Sequence, residues 1–214
     1  MAALSEFYKG QLIGIPGTID NDIPGTDYTI GFDTAVSTAV WAIDKIRDTA
    51  SSHSRMIFVE VMGRHSGQIA LSVALAAGAE DVLIPEEKTN IDSLVERLES
   101  GRKTGKKFGI VVVAEGDDAG GAFKIAEQVT GKTGLTIKVS VLGYIQRGGP
   151  PTAIDRIWGS RMGNAAVDYI QQGYNLVFTA LRSGRIAPAY LTEATTGTRS
   201  VDPELVKLIR VVGR

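Results

Sequence analysis

The sequence predicts an α/β fold in which a parallel sheet is built with crossover helices. Three observations lead there. Apolar runs alternate with segments of helical period along the chain, and Phe108–Ala114 is an almost unbroken apolar run, the mark of a strand buried on both faces. The chain also holds 25 glycines in 214 residues, about 12% against a usual value of roughly 7%, so many positions need tight turns or close approach.

Each element follows from its own pattern. Gln11–Ile15 reads as a short strand stopped by Pro16-Gly17. Thr34–Arg47 carries Val36, Val40, Ile43 and Ile46 at spacings of four and three, a helical stripe with Asp33 or Thr34 as cap. Met56–Val61 is a compact strand ending at Met62-Gly63-Arg64. Gln68–Ala77 is a small-residue helix stopped by Gly78. Asp81–Ile84 is a strand, Ile91–Glu99 a helix, and Phe108–Ala114 the central strand. Lys138–Ile145 is a strand, Arg161–Gln171 a helix, Asn175–Ala180 a strand and Pro203–Val211 a terminal helix. No internal repeat, low-complexity tract or long linker interrupts them.

Composition narrows the function. Lys+Arg 23 against Asp+Glu 24 leaves a net charge of −1, which excludes a polyanion-binding surface as the main business; no nucleic-acid partner is expected. The absence of cysteine excludes disulfides, thiolate metal sites and a thiol nucleophile. No apolar run approaches 18 residues and the first dozen lack a signal-peptide layout, so no membrane association is expected and a cytoplasmic location is. At 214 residues, two small lobes or one incomplete larger unit both fit.

Polar residues and glycines gather where predicted strands stop. Pro16-Gly17-Thr18-Ile19-Asp20-Asn21-Asp22 follows the first, Met62-Gly63-Arg64 the second, Glu115-Gly116-Asp117-Asp118 the central one and Gln146-Arg147-Gly148-Gly149 the next. Open α/β sheets bind ligands outside the carboxyl ends of their strands, so these four clusters predict one composite pocket. Carboxylates, arginines and exposed amides together suit a phosphorylated, hydroxyl-rich substrate. Asp20 and Asp22 would point the same way in an extended segment, where one can serve as general base; a polar turn explains the same residues. Arg64 offers planar phosphate contact or a solvated surface charge. Glu115 needs partners at the end of a buried strand, whether sugar hydroxyls, a helix N-terminus or a salt bridge. His53 and His65 read as hydrogen-bonding loop residues, not metal ligands.

The segment Gly14-Ile15-Pro16-Gly17-Thr18-Ile19-Asp20-Asn21-Asp22 resembles the signature of the bacterial-type 6-phosphofructokinases (phosphofructokinase A family). So do Gly25–Phe32, Arg47–His53, Met62-Gly63-Arg64 and Val141–Gly149, in the family's order, from about residue 10 to 165. The resemblance implies a two-lobed fold of mostly parallel sheets with helices on both faces. Residues 1–32 and 147–198 would form part of an ATP-side lobe, and 33–146 with 199–214 a substrate and effector lobe. It implies magnesium-assisted transfer of the ATP γ-phosphoryl group to the 1-hydroxyl of fructose 6-phosphate, by a homo-oligomer, a tetramer in the family. Asp20 would be the base, with Thr18 and Asp22 holding the sugar and the metal-phosphate end. Arg64 would stabilise the transferring phosphoryl group, and Met62 and Gly63 would contact substrate. Glu115 would bind sugar hydroxyls, Arg147 the 6-phosphate, and Tyr144 the substrate. Arg55 and Lys138 would reach a neighbouring subunit's phosphate. Arg47, Gly78, Ala79, Glu80, Lys106 and Lys107 fall on the segments that line the family's effector-nucleotide site.

Lys138 stands where the family usually has arginine, turning a forked contact into a point charge, and Tyr144 stands where histidine is commoner. The family's N-terminal segment, with its glycine-rich ATP loop and main metal-binding aspartate, has no counterpart, so the 214 residues alone are expected to lack kinase activity. Gly17 stands where pyrophosphate-using relatives tend to carry lysine, which leans toward ATP. The alternatives are a pyrophosphate-dependent phosphofructokinase and a non-catalytic module for sugar phosphates or nucleotides.

Overall fold

The computed structural model describes residues 4, 6–52, 55–105 and 108–213. Along the chain lie β1 (Ile13–Gly14), β2 (Gly17–Thr18), β3 (Ile30–Gly31), α1 (Phe32–Ser52), β4 (Met56–Val61), α2 (Gln68–Ala76), β5 (Asp81–Leu83), α3 (Ile91–Lys103), β6 (Gly109–Ala114), α4 (Gly121–Thr133) and β7 (Ile137–Val141). A 3-10 helix (Gly143–Arg147), α5 (Ala153–Gln171), β8 (Val177–Arg182), β9 (Arg185–Tyr190), a 3-10 turn (Glu193–Thr195) and α6 (Pro203–Val212) complete it. Two units form, Met1–Thr34 with Pro150–Arg199 and Ala35–Gly149 with Ser200–Arg214. No helix among the described residues is long and apolar enough to cross a membrane.

In the second unit a four-stranded sheet runs β5-β6-β4-β7 with every pairing parallel. β6 is central and buried at all six residues, as its unbroken apolar run predicts. Phe58, Val111 and Val113 pack on one face with Leu94 and Leu98 of α3 and Ala122, Ile125 and Val129 of α4. The alternating Ile110 and Val112 are equally buried and turn to the other face. α2 packs along β5 and β6 and carries α6. Gly78 follows α2 at φ +60°, the left-handed position that a helix-ending glycine supplies without strain.

In the first unit β1 pairs parallel with β8, and β8 turns back antiparallel into β9. The turn is Ser183-Gly184 at φ +48° and +78°, the paired positive values of the two-residue hairpin whose twist matches its strands. β2 and β3 form a separate parallel pair.

Several expectations need correction. The first strand is only Ile13–Gly14. α1 begins at Phe32, so Asp33 and Thr34 lie inside its first turn and not before its start; the Thr34 amide and hydroxyl donate to the Asp155 carboxylate, 121 positions away. Residues 143–147 do not prolong β7 but form the 3-10 helix. α5 starts eight residues before Arg161, behind a Thr152 side chain that accepts from the Asp155 amide at 3.3 Å. α4 and β9 escaped the sequence reading altogether. α4 has glycine at its N-cap and first position, both at positive φ, and its start is held by Glu60 Oε2 of β4, which accepts from the Ala122 amide at 2.8 Å.

Candidate functional site

β4 and β6 end in step, Val61 opposite Ala114, so the residues that follow meet at one edge of the sheet. Three successive amides there are taken by side chains. The Met62 amide donates to Gln146 Oε1 at 2.9 Å, and the Gly63 and Arg64 amides donate to Glu115 Oε1 at 3.3 and 2.8 Å. The turn closes with the Ser66 amide on the Gly63 carbonyl at 2.9 Å. Arg64 sits at φ +52°, a conformation non-glycine residues rarely hold without support. Its side chain is exposed.

Two glycines make this geometry possible. Gly63 lies at φ +146°, and a Cβ there would strike the Ser66 carbonyl oxygen. A Cβ on Gly116 would overlap the Arg64 carbonyl oxygen, a backbone atom unable to give way alone. Gly116→Ala is therefore expected to destabilise the protein by about 2–3 kcal/mol, read as a lower thermal midpoint.

On the 3-10 helix after β7, Gln146 is buried and Arg147 exposed, with the Arg147 guanidinium 5.3 Å from the centre of the exposed Tyr144 ring. Gln146 Nε2 is buried without a hydrogen-bond partner among the described residues, at a cost of about 1–3 kcal/mol. Asp117 and Asp118, read as ligand-facing, instead tie down a loop. Asp117 accepts from the Thr89 hydroxyl at 2.7 Å and the Ala119 amide at 2.9 Å, and Asp118 from the Thr89 amide at 2.9 Å. Burial pushes the Asp117 carboxyl above its usual range.

Thr18, Asp20 and Asp22 belong to the first unit. Asn21 between the carboxylates is buried at φ +51°, so the segment is not extended, and the alternation that would aim both carboxylates one way does not hold. The Asp20 amide donates to Thr18 Oγ1 at 3.3 Å, and the Asp22 carbonyl accepts from the Arg199 amide at 2.8 Å. Thr29, fully buried, donates to the Thr18 carbonyl at 2.7 Å and bonds Asn21 Oδ1 at 3.3 Å. Sequence reasoning missed Asp155, the anchor of the neighbouring segment Tyr28–Thr34. Its carboxylate accepts from the Tyr28 hydroxyl at 2.6 Å, the Gly31 amide at 2.7 Å and the Thr34 amide at 2.9 Å, besides the Thr34 hydroxyl. Burial alone would raise its pKa, but the bonds from Thr34 and Tyr28 and from the Gly31 and Thr34 amides hold it below the usual range. Burial, then the Asp155 carboxylate, pushes the Tyr28 phenol up.

The remaining candidates among the described residues lie at the other end of the second unit's sheet. Arg55 precedes the first residue of β4, and Lys138 lies early in β7, paired with Ile57; the six residues of β4 put them about 20 Å from the Met62 turn. Arg47 donates to the Ala77 and Gly78 carbonyls, the latter at 3.2 Å, and the Glu80 carboxylate accepts from the Ile110 amide. Lys106 and Lys107, like His53, lie outside the described residues. A cavity of about 400 Å³ opens at this end, bordered by Met56, Glu80, Arg97, Arg102, Phe108 and Arg210. Beside it the fully buried Asp81 meets Arg97 Nε at 2.5 Å and Arg210 Nε at 3.6 Å. Among the described residues no three carboxylates, histidines or cysteines cluster to hold a metal ion.

Comparison with known proteins adds the following. The family model described as Phosphofructokinase matches residues 1–170. An ATP-dependent 6-phosphofructokinase of Brevibacillus brevis is 50% identical over 200 residues, covering 94% of this chain and 62% of that protein. ATP-dependent 6-phosphofructokinase 1 of Thermus thermophilus is 49% identical over 209 residues, covering 98% and 65%. The chain thus spans about three fifths of the length of these relatives. The phosphofructokinase structure from Saccharomyces cerevisiae superposes with a TM-score of 0.82 at 32% identity, over 94% of this chain and 28% of that one. A pyrophosphate-dependent phosphofructokinase from Nitrosospira multiformis gives 0.80 at 29% identity, over 94% and 56%.

Proposed function

The chain belongs to the phosphofructokinase family, and from that we propose that the protein carrying it is an ATP-dependent 6-phosphofructokinase, making fructose 1,6-bisphosphate in glycolysis. One observation carries the reading. Relatives about half identical over nearly the whole chain bear the ATP-dependent name, whereas the pyrophosphate-dependent structure stands at 29% identity.

In the proposed reaction Asp20 takes the proton of the 1-hydroxyl as that oxygen bonds the γ-phosphorus. The bond from the γ-phosphorus to the bridging oxygen breaks, and ADP leaves with its electrons. Thr18 and Asp22 hold the sugar and the metal-phosphate end; magnesium, when bound, neutralises phosphate charge. Arg64 offers a fixed positive charge to the transferring group. Met62 and Gly63 contact substrate, Glu115 presents its second oxygen to sugar hydroxyls, and Arg147 and Tyr144 meet the sugar phosphate. Arg55 and Lys138, at the far end of the sheet, serve a neighbouring subunit in a homotetramer of the cytoplasm. Arg47, Gly78, Ala79, Glu80, Lys106 and Lys107 take an effector nucleotide.

Phosphorus NMR of a mixture of the full protein, ATP, magnesium and fructose 6-phosphate is expected to show a new ester on the carbon-1 oxygen. ATP hydrolysis without that ester would overturn the reading. Arg147→Ala removes a charge-assisted phosphate contact. It is expected to raise the Michaelis constant for fructose 6-phosphate about tenfold or more with a smaller change in kcat, in a coupled assay.

A further inference from the structure

We infer that Gln146 is a positioning residue for Arg64, acting through the Met62–Arg64 turn, an inference that rests on the function proposed above. The turn is held from two sides. Glu115 takes the Gly63 and Arg64 amides, and Gln146 takes the Met62 amide, at 2.9 Å. The orientation of the Gln146 amide follows from that contact, because turning it over would set two N–H donors face to face. Its Nε2 finds no hydrogen-bond partner among the described residues, and the residue is 1% exposed.

Buried donors without partners are rare and disfavoured. An apolar side chain would fill the same volume without one, so a glutamine here is justified by what its oxygen does for Met62. The need is plain two residues further on, in the same turn. Arg64 is held at φ +52°, a conformation that persists only where surrounding contacts enforce it. Gln146 does not itself meet the reacting atoms. It adjoins Arg147 on the five-residue 3-10 helix, so the arginine proposed to bind the 6-phosphate and the support of Arg64 stand on one short element.

The test compares Gln146→Met with the unaltered full protein. Loss of the acceptor is expected to lower kcat about 10- to 100-fold, the scale of a misplacement near 1 Å, while the Michaelis constant for fructose 6-phosphate stays within about threefold. In an Arg64→Ala background the same change is expected to cost less than about twofold more, because its effect passes through Arg64. An equal loss in both backgrounds would overturn the inference. Amide hydrogen exchange supplies a readout independent of catalysis: the peptide holding Met62–Arg64 is expected to exchange at least about tenfold faster in the variant, and unchanged exchange would overturn the inference even in an active enzyme. A protein without turnover on fructose 6-phosphate overturns the proposed function instead and leaves the exchange result to decide on Gln146. If Gln146→Met does not fold, Gln146→Asn, shorter by one methylene, withdraws the acceptor and must give the same pattern.

Discussion

Asp20→Asn is expected to lower kcat by about a hundredfold or more, the low end for losing a general base. The substitution keeps shape and volume but replaces the carboxylate's charge and one acceptor oxygen with an uncharged N–H donor, so the side chain can no longer take up a proton. The loop around it is fixed by groups the substitution does not touch: Asn21 in its left-handed conformation, the Thr29 hydroxyl on the Thr18 carbonyl, and the Arg199 amide on the Asp22 carbonyl. Asp20 therefore sits on a supported turn, and sugar-phosphate binding is expected to change much less than turnover, since the lost interaction matters as the proton leaves. Steady-state kinetics on the full protein provide the check. Turnover within about threefold of the unaltered protein would take Asp20 out of the base role.

Asp155→Ala is expected to cost about 3–5 kcal/mol, because removing a buried carboxylate orphans the Tyr28 hydroxyl, two amides and the Thr34 hydroxyl together. A loss of that size corresponds to a thermal midpoint lower by roughly 10 °C. Asp155→Asn restores one acceptor but turns an N–H toward donors, so an intermediate loss is expected. The pH dependence has a definite sign. The folded pKa lies below the ordinary aspartate value, so the folded state binds fewer protons in that window and stability falls as pH falls through it. The contribution is complete above the unfolded aspartate pKa, near 3.9. Denaturation followed from pH 6 down to about pH 2 is expected to show a shallower slope in Asp155→Ala; parallel curves would contradict the assignment.

The buried parallel sheet was legible because its physics is local. Six apolar residues in a row at Gly109–Ala114 allow little besides a strand covered on both faces, and Met56–Val61 was read to the residue. What escaped were elements whose signals come from elsewhere in the fold. α4 opens on Gly120-Gly121, which reads as loop until Glu60 supplies the missing cap. The first turns of α5 expose Ile154 and Ile157, reversing the pattern that marks a surface helix. Ser183-Gly184 was a readable hairpin turn whose second strand, Arg185–Tyr190, carries a proline and buries little.

For the candidate site, the motifs named Thr18, Asp20, Asp22, Arg64, Glu115 and Arg147, but not what supports them. Gln146 and Asp155 act on amides 84 and 121 to 124 positions away, a distance no spacing rule reaches. The left-handed Asn21 likewise depends on Thr29, eight residues on.

The most direct measurement is a steady-state assay of the full protein on fructose 6-phosphate and magnesium, with ATP and pyrophosphate supplied in turn. The account predicts turnover of about 1–100 per second with ATP, the range of working kinases, and at least about a hundredfold less with pyrophosphate, a barrier difference near 2.7 kcal/mol. Turnover with pyrophosphate equal to or above that with ATP, or none with either donor, would contradict it.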